Sequence, residues 1–163
     1  MQIFQKQKVQ HVAFVPDGGL KGIIELCQQT KEFTTTVLTS EEEGIAVLAG
    51  AWLGGQRGVL LMQSSGVGNC LNMLTLSENC RIPLVMIITM RGEWGEFVPW
   101  QVPMGRRTER ILETMGLDVY RIDNEAQVGP TVNAGFDQAF QSNRSVAILL
   151  AQKMVGQKNW GNR

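Results

Sequence analysis

Three consecutive acids, Glu41, Glu42 and Glu43, open an apolar stretch in the segment VLTSEEEGIAVLAGAW, residues 37–52. A carboxyl that turns toward an apolar interior loses hydration, which raises its pKa and suits it to hold or share a proton near neutral pH. Downstream, MQSSGVGNCLNML (residues 62–74) places Gly66 and Gly68 directly after an apolar run. Glycines there permit tight turning and close approach of another group to the backbone. Ser64, Ser65 and Asn69 around them offer neutral hydrogen bonds to a ligand, with capping and turn closure as the alternative use. Asp17, in PDGG, is either a substrate-side acid or ordinary turn chemistry. Arg91, in MRGEWGEF, either pairs with an anionic oxygen group or with Glu93 or Glu96.

The helical period separates the three glutamates. With Ile45, Leu48, Ala49, Trp52 and Leu53 as the apolar face and about 100° per residue, Glu42 lies about 40° from its centre, Glu41 about 60° and Glu43 about 140°. Glu42 is therefore the expected inward carboxyl and Glu43 the solvated one. Thr39 or Ser40 is expected to cap this helix, with a glutamate three residues later closing a capping box.

The elements that must position these residues alternate along the chain. Short apolar runs at His11–Val15, Thr35–Leu38, Gly58–Gln63, Leu84–Thr89, Asp118–Arg121 and Val146–Leu150 are expected strands. GVLLM, PLVMIIT and SVAILL are nearly continuous in apolar residues, as strands covered on both faces are. Helices are expected at about 18–29, 42–55, 69–79, 105–115 and 126–141. This rhythm predicts an α/β three-layer sandwich with a mostly parallel six-stranded sheet. In such sheets ligands collect beyond the carboxyl ends of the strands. PDGG, TSEEE, SSGVGN and MRGEWGEF each follow one of the first four strands.

At 163 residues the chain fits one domain, expected over residues 1–154, with a polar tail at 155–163. Fifteen basic and fifteen acidic residues cancel, giving no general reason to expect a nucleic-acid or membrane partner. Cys27, Cys70 and Cys80 lack metal-ligand or redox spacing, and a cytoplasmic location is expected from ordinary thiols and the lack of a leader segment. A single histidine, His11, rules out a serine-hydrolase triad or multi-histidine metal site built from this chain alone. The glycine turn has neither the lysine of a P-loop nor the full dinucleotide fingerprint.

EEEGIAVLAGAW, followed by GVLLMQSSGVGNCLNMLTLSENCRIPLVMIIT, resembles the pyrimidine-binding domain of thiamine diphosphate-dependent decarboxylases. HVAFVPDGGLKGIIE and GRRTERILETMGLDVYRID extend the resemblance over roughly residues 8–152. Within that family it is similar to the alpha subunits of sulfopyruvate decarboxylase and, beyond them, to phosphonopyruvate decarboxylases. The resemblance implies a glutamate bonded to N1′ of the cofactor's aminopyrimidine, and a gapless match lays that glutamate on Glu42. It further implies a cofactor wall at Ser65, Gly66, Val67, Gly68 and Asn69, and a substrate side at Asp17, Arg91 and Glu93, with Asp17 also a candidate for proton transfer. No histidine occurs in FVPWQVPMG, a departure from the phosphonopyruvate pattern.

The family's diphosphate-binding motif, which holds magnesium, is not in this sequence. The resemblance therefore implies a separate beta subunit that carries the Mg2+ and the diphosphate end of thiamine diphosphate, in an α2β2 assembly or a multiple of it. The implied substrate is a small anionic 2-oxo acid: sulfopyruvate, in coenzyme M or sulfonate metabolism, or phosphonopyruvate. A noncatalytic regulatory or structural subunit is the alternative of a different class.

Overall fold

A computed structural model describes residues 1–156; most of the expected tail, residues 157–163, lies outside the described part. The apolar runs form six strands, β1 (Val9–Phe14), β2 (Thr34–Val37), β3 (Arg57–Gln63), β4 (Leu84–Thr89), β5 (Asp118–Ile122) and β6 (Ser145–Leu150). They lie in the order β2-β1-β3-β4-β6-β5, and every pairing is parallel. Parallel neighbours need crossovers, and the segments between strands supply them as helices. These are α2 (Lys21–Gln29), α3 (Glu41–Leu53), α4 (Val67–Cys80), α5 (Gln101–Gly105), α6 (Thr108–Thr114) and α7 (Val128–Ser142).

The pleat sends successive strand residues to opposite faces, so each central strand feeds two cores. Val59, Leu61, Val85 and Ile87 pack with Ile24, Phe136 and Phe140 on one side. Leu60, Met62, Met86 and Ile88 pack with Ile45, Leu48, Val67 and Leu74 on the other. All six residues of β4 are buried, which explains why its sequence shows no alternation.

Two short helices were not foreseen, α1 (Gln2–Lys6) and α8 (Gln152–Val155). Both are too short for periodicity to mark them, and α1 is held by Phe4, whose ring meets Phe33 and Phe136 edge-on. The helix expected at about 105–115 forms as α6, and α5 before it, ending at Gly105, is a third helix that was not foreseen. Gly105 sits so close to the preceding loop that a Cβ there would lie 1.7 Å from the carbonyl oxygen of Arg91. The contact folds the chain back over the rim of the sheet before α6 begins. Among the described residues, no helix is long and apolar enough to cross a membrane.

The strand order puts the carboxyl ends of β2, β1, β3 and β4 side by side, and with them the four unusual turns. Phe136 is fully buried between Phe4 and Phe140 in the core beneath that rim. Phe136→Ala is expected to lower stability by about 3–5 kcal/mol, measured as a shift in the urea midpoint at unchanged slope.

Candidate active site

The inward glutamate is Glu41. It stands at the first position of α3, 9 % exposed, and its Oε2 accepts a hydrogen bond from Asn69 Nδ2 at 2.9 Å. Across from it, the turn between β3 and α4 presents Gly66. A Cβ at position 66 would lie 2.2 Å from the Glu41 carboxyl carbon, so only glycine admits the acid. Among the described residues Asn69 is the only hydrogen-bond partner of this carboxyl, and Oε1 is uncommitted. Cys70, fully buried nearby, has its thiol pushed up to about 12, first by burial and then by the charges of Glu41 and Glu42. It stays protonated at neutral pH and is no nucleophile.

Glu42 is corrected from the expected buried acid to a half-buried one at the helix edge. Ser40 Oγ donates to its carboxylate, and that bond together with its own backbone N–H holds its pKa below the ordinary value rather than above it. The error has a physical source. Leu53 belongs to the apolar face by sequence but is 79 % exposed, whereas Gly44, which carries no hydropathy weight, is buried. A Cβ at Gly44 would lie 2.5 Å from Leu60 Cδ1, so the helix presses its Glu41–Gly44–Ile45–Leu48 side onto the sheet. Glu43 is exposed as expected; its Oε2 accepts from the backbone N–H of Thr39 at 2.9 Å, and Ser40 makes no side-chain cap. Only one arm of the expected capping box forms, shifted by a residue.

The other members of the glycine turn divide. Val67, which the resemblance puts in the cofactor wall, has its side chain fully buried in the core. Ser64 is buried and accepts the Arg91 backbone N–H at 3.0 Å. Ser65, Gly68 and Asn69 are exposed beside Glu41. Asn69 does not cap α4; Gly66 occupies that position.

Asp17 is a junction of three strand ends. Its Oδ1 accepts from Gln63 Nε2 at 2.8 Å, and its Oδ2 accepts from Thr89 Oγ1 at 2.8 Å and the Gly19 backbone N–H at 2.9 Å. A groove of about 420 Å³ runs past it, lined by Phe14, Lys21, Glu25 and Val37. Turn closure and a position at the rim therefore coexist in one residue. Gln63 and Thr89 were not singled out from the sequence, although each is the polar residue that ends an apolar strand.

The loop after β4 is braced internally, and of the uses the sequence left open for Arg91 the pairing with Glu96 is the one formed. Arg91 is buried and gives Nε and Nη2 to the two oxygens of Glu96, both at 2.7 Å. Glu93 is paired with Arg121 through two bonds of 2.6 and 2.9 Å. Glu96, with its side chain 2 % exposed, also accepts from the backbone N–H groups of Gly92 and Val98 and from Gln152 Nε2. Gln152 Oε1 in turn receives the N–H groups of Glu93 and Trp94. The Arg91 guanidinium, the group suited to an anionic oxygen, is paired within the chain. Trp94, Phe97 and Trp100 are left on the loop's outer surface.

Taken together, the rim offers a buried carboxyl with one free oxygen, a glycine wall and a braced aspartate. That set suits proton exchange with a planar nitrogenous group more than nucleophilic attack or metal binding. A family model described as thiamine pyrophosphate enzyme, N-terminal TPP binding domain, matches residues 1–96. The chain is 34 % identical over 143 residues to a sulfopyruvate decarboxylase subunit alpha of Methanococcus maripaludis, covering 87 % of this chain and 86 % of the relative. It is 32 % identical over 155 residues to a sulfopyruvate decarboxylase of Methanosarcina acetivorans, covering 94 % of this chain and 39 % of that one. Over 109 residues it is 40 % identical to a phosphonopyruvate decarboxylase of Streptomyces viridochromogenes, covering 66 % of this chain and 28 % of the relative.

Glu96 carries a pH signature. The Arg91 bond above all holds its pKa down at about 2 against the ordinary 4.5; burial opposes this, and the Val98, Gly92 and Gln152 donors add to the lowering. A depressed folded-state pKa means stabilisation that is complete above about 4.5 and lost as pH falls through about 2. Glu96→Gln is expected to be less stable than the parent at pH 7. In urea unfolding at stepped pH the gap should close between about 4.5 and about 2. A gap independent of pH would contradict the assignment.

Proposed function

This chain belongs to the thiamine pyrophosphate enzymes, as a TPP-binding decarboxylase domain related to the sulfopyruvate decarboxylase alpha subunits, and we propose that Glu41 is the acid by which it serves the cofactor. The observation that carries this is the buried Glu41 carboxyl seated against Gly66, with one oxygen held by Asn69 and the other uncommitted. The residues fit the aminopyrimidine end of thiamine diphosphate: a planar ring with a basic nitrogen needs a carboxyl to meet it and a wall without side chains to lie on. The family resemblance lays the same role on Glu42, whose carboxylate lies at the helix edge with Ser40, and the variants below separate the two.

When bound, the cofactor supplies an electron sink for the pair released as carbon dioxide leaves a 2-oxo acid. The chain's own residues do the rest. Glu41 Oε1 would face the ring nitrogen N1′ of the bound cofactor as its hydrogen-bond partner, while Asn69 fixes the carboxyl's orientation through Oε2. Gly66 makes room for the Glu41 carboxyl, and Gly68 keeps the neighbouring surface open. Asp17 would stand at the substrate side, braced by Gln63, Thr89 and the Gly19 N–H. An oriented acid of this kind contributes about 10²- to 10⁴-fold to rate.

The partner is a second chain that holds the diphosphate and Mg2+, with an α2β2 assembly or a multiple of it. The relatives support this. One is named as a subunit alpha, and a longer sulfopyruvate decarboxylase matches this chain over 39 % of its own length. The exposure of Ser65, Gly68 and Asn69 around Glu41 also favours a site closed by another surface. Sulfopyruvate, decarboxylated to sulfoacetaldehyde, is the substrate the full-length likeness favours. Phosphonopyruvate is the second choice, on the likeness to the Streptomyces enzyme.

The test is carbon dioxide release by the chain co-purified with its beta-type partner, with thiamine diphosphate and magnesium. Glu41→Ala should cut turnover of sulfopyruvate by about 10²- to 10⁴-fold, whereas Glu42→Ala should stay within about threefold of the parent. Loss in Glu42→Ala with near-normal Glu41→Ala would contradict the assignment. Release from phosphonopyruvate alone would keep the mechanism and replace the substrate.

A further inference from the structure

A cavity of about 310 Å³ lies at the edge of the sheet opposite the glutamate rim. The ends of α4 and α7, with Met115 and Gly116 after α6, enclose it around Ser145, which opens β6 beside the first residue of β4. On its wall Ser77 is 2 % exposed, and its Oγ has no hydrogen-bond partner among the described residues. A helical hydroxyl can satisfy itself by donating to the carbonyl four residues back. Thr108, Thr114 and Ser142 do so in this chain. Ser77 does not, and a buried hydroxyl left unbonded carries the cost of its lost hydration.

Two charges on the same wall are also unmet. Glu78 and Arg81 stand three residues apart at the end of α4, a spacing at which opposite charges on a helix meet. Arg81 leaves the helical path at φ 51, and neither side chain has a partner among the described residues. Glu78 Oε1 stands over Gly116 instead, 3.3 Å from where a Cβ there would lie. Arg144 differs, because its Nε and Nη2 are both engaged by Asp118. Leu74 and Met115 add apolar surface. A simple anion would leave Glu78 repelling it, and a simple cation would do the same with Arg81. We propose that this cavity binds a free α-amino acid with an apolar side chain, its carboxylate on Arg81 and Ser77 Oγ and its ammonium on Glu78. The two helix ends at the cavity favour the ammonium as well, because their last carbonyls carry partial negative charge. The inference does not rest on the functional reading of the rim.

Titration calorimetry on the full chain tests this without turnover, with L-norleucine as the probe. Hexanoate, which lacks the ammonium, and pentylamine, which lacks the carboxylate, serve as its two halves. The amino acid should bind at least about tenfold tighter than either half, one charge-assisted hydrogen bond separating each pair. Arg81→Gln should bring L-norleucine down to within about threefold of pentylamine, and Glu78→Gln to within about threefold of hexanoate. Ser77→Ala should weaken L-norleucine by about fivefold without lowering the urea midpoint, since the hydroxyl it removes is unpaired in the free chain. Glu41→Ala, at the other edge of the sheet, should leave binding within about twofold of the parent. No saturable binding of L-norleucine would overturn the inference. Either half binding as tightly as the whole would do so too, as would an affinity unmoved by Ser77→Ala and Arg81→Gln or one lost in Glu41→Ala. None of these outcomes touches the reading of the rim, which turnover of the Glu41 and Glu42 variants decides.

Discussion

At one point in this fold a carboxyl group and a backbone occupy adjoining space so tightly that no side chain fits between them. Glu41 enters from the start of α3 and Gly66 from the turn before α4, and a single methyl at position 66 would collide with the carboxyl carbon. The remaining geometry follows from keeping that approach. Gly44 lets α3 sit down on Leu60 and Leu38, so the helix starts low enough to bury its first residue. Asn69, one turn into α4, reaches back to hold Oε2. The parallel order of β1, β3 and β4 brings the turn and the helix start to the same edge of the sheet.

Around that point, charge is sorted by whether its hydrogen-bond capacity is already spent. Arg91, Glu96, Glu93 and Arg121 form pairs whose donors and acceptors meet one another, with Gln152 joining the loop to the start of α8. Such bonded pairs, buried for Arg91–Glu96 and partly exposed for Glu93–Arg121, make a loop specific in shape, whatever their net worth in stability. Asp17 receives three donors and ties three strand ends together. Glu41 differs from all of these because only one of its oxygens is engaged. A ligand meets unspent capacity, and the rim concentrates it at Glu41 and the exposed Ser65 beside it.

Much of the fold was legible because its strongest signals are local. The runs GVLLM, PLVMIIT and SVAILL became β3, β4 and β6 within a residue or two, and their lack of alternation foretold burial on both faces. The turn residues marked the carboxyl rim for the same reason. The site was half legible. An inward acid among Glu41–Glu43 follows from pattern, but which acid depends on how α3 rolls against the sheet. That roll is set by a glycine with no hydropathy and by a leucine, Leu53, that stays in solvent. The pairing of Arg91 with Glu96 was one of two open choices in the sequence, and tertiary contact with Gln152 decided it. The approach of Gly105, at the end of α5, to the carbonyl of Arg91 fourteen residues earlier was illegible, because it is a tertiary contact rather than a local signal.

The central claim is that Glu41, and not its neighbour, meets the cofactor. A crystal structure of the chain with its beta-type partner and bound thiamine diphosphate tests it most directly. The account predicts the Glu41 carboxyl within hydrogen-bonding distance of N1′, with Asn69 still on its other oxygen and Glu42 turned to Ser40. A Glu42 carboxyl on N1′, or an aminopyrimidine seated away from Gly66 with neither glutamate in reach, would contradict it.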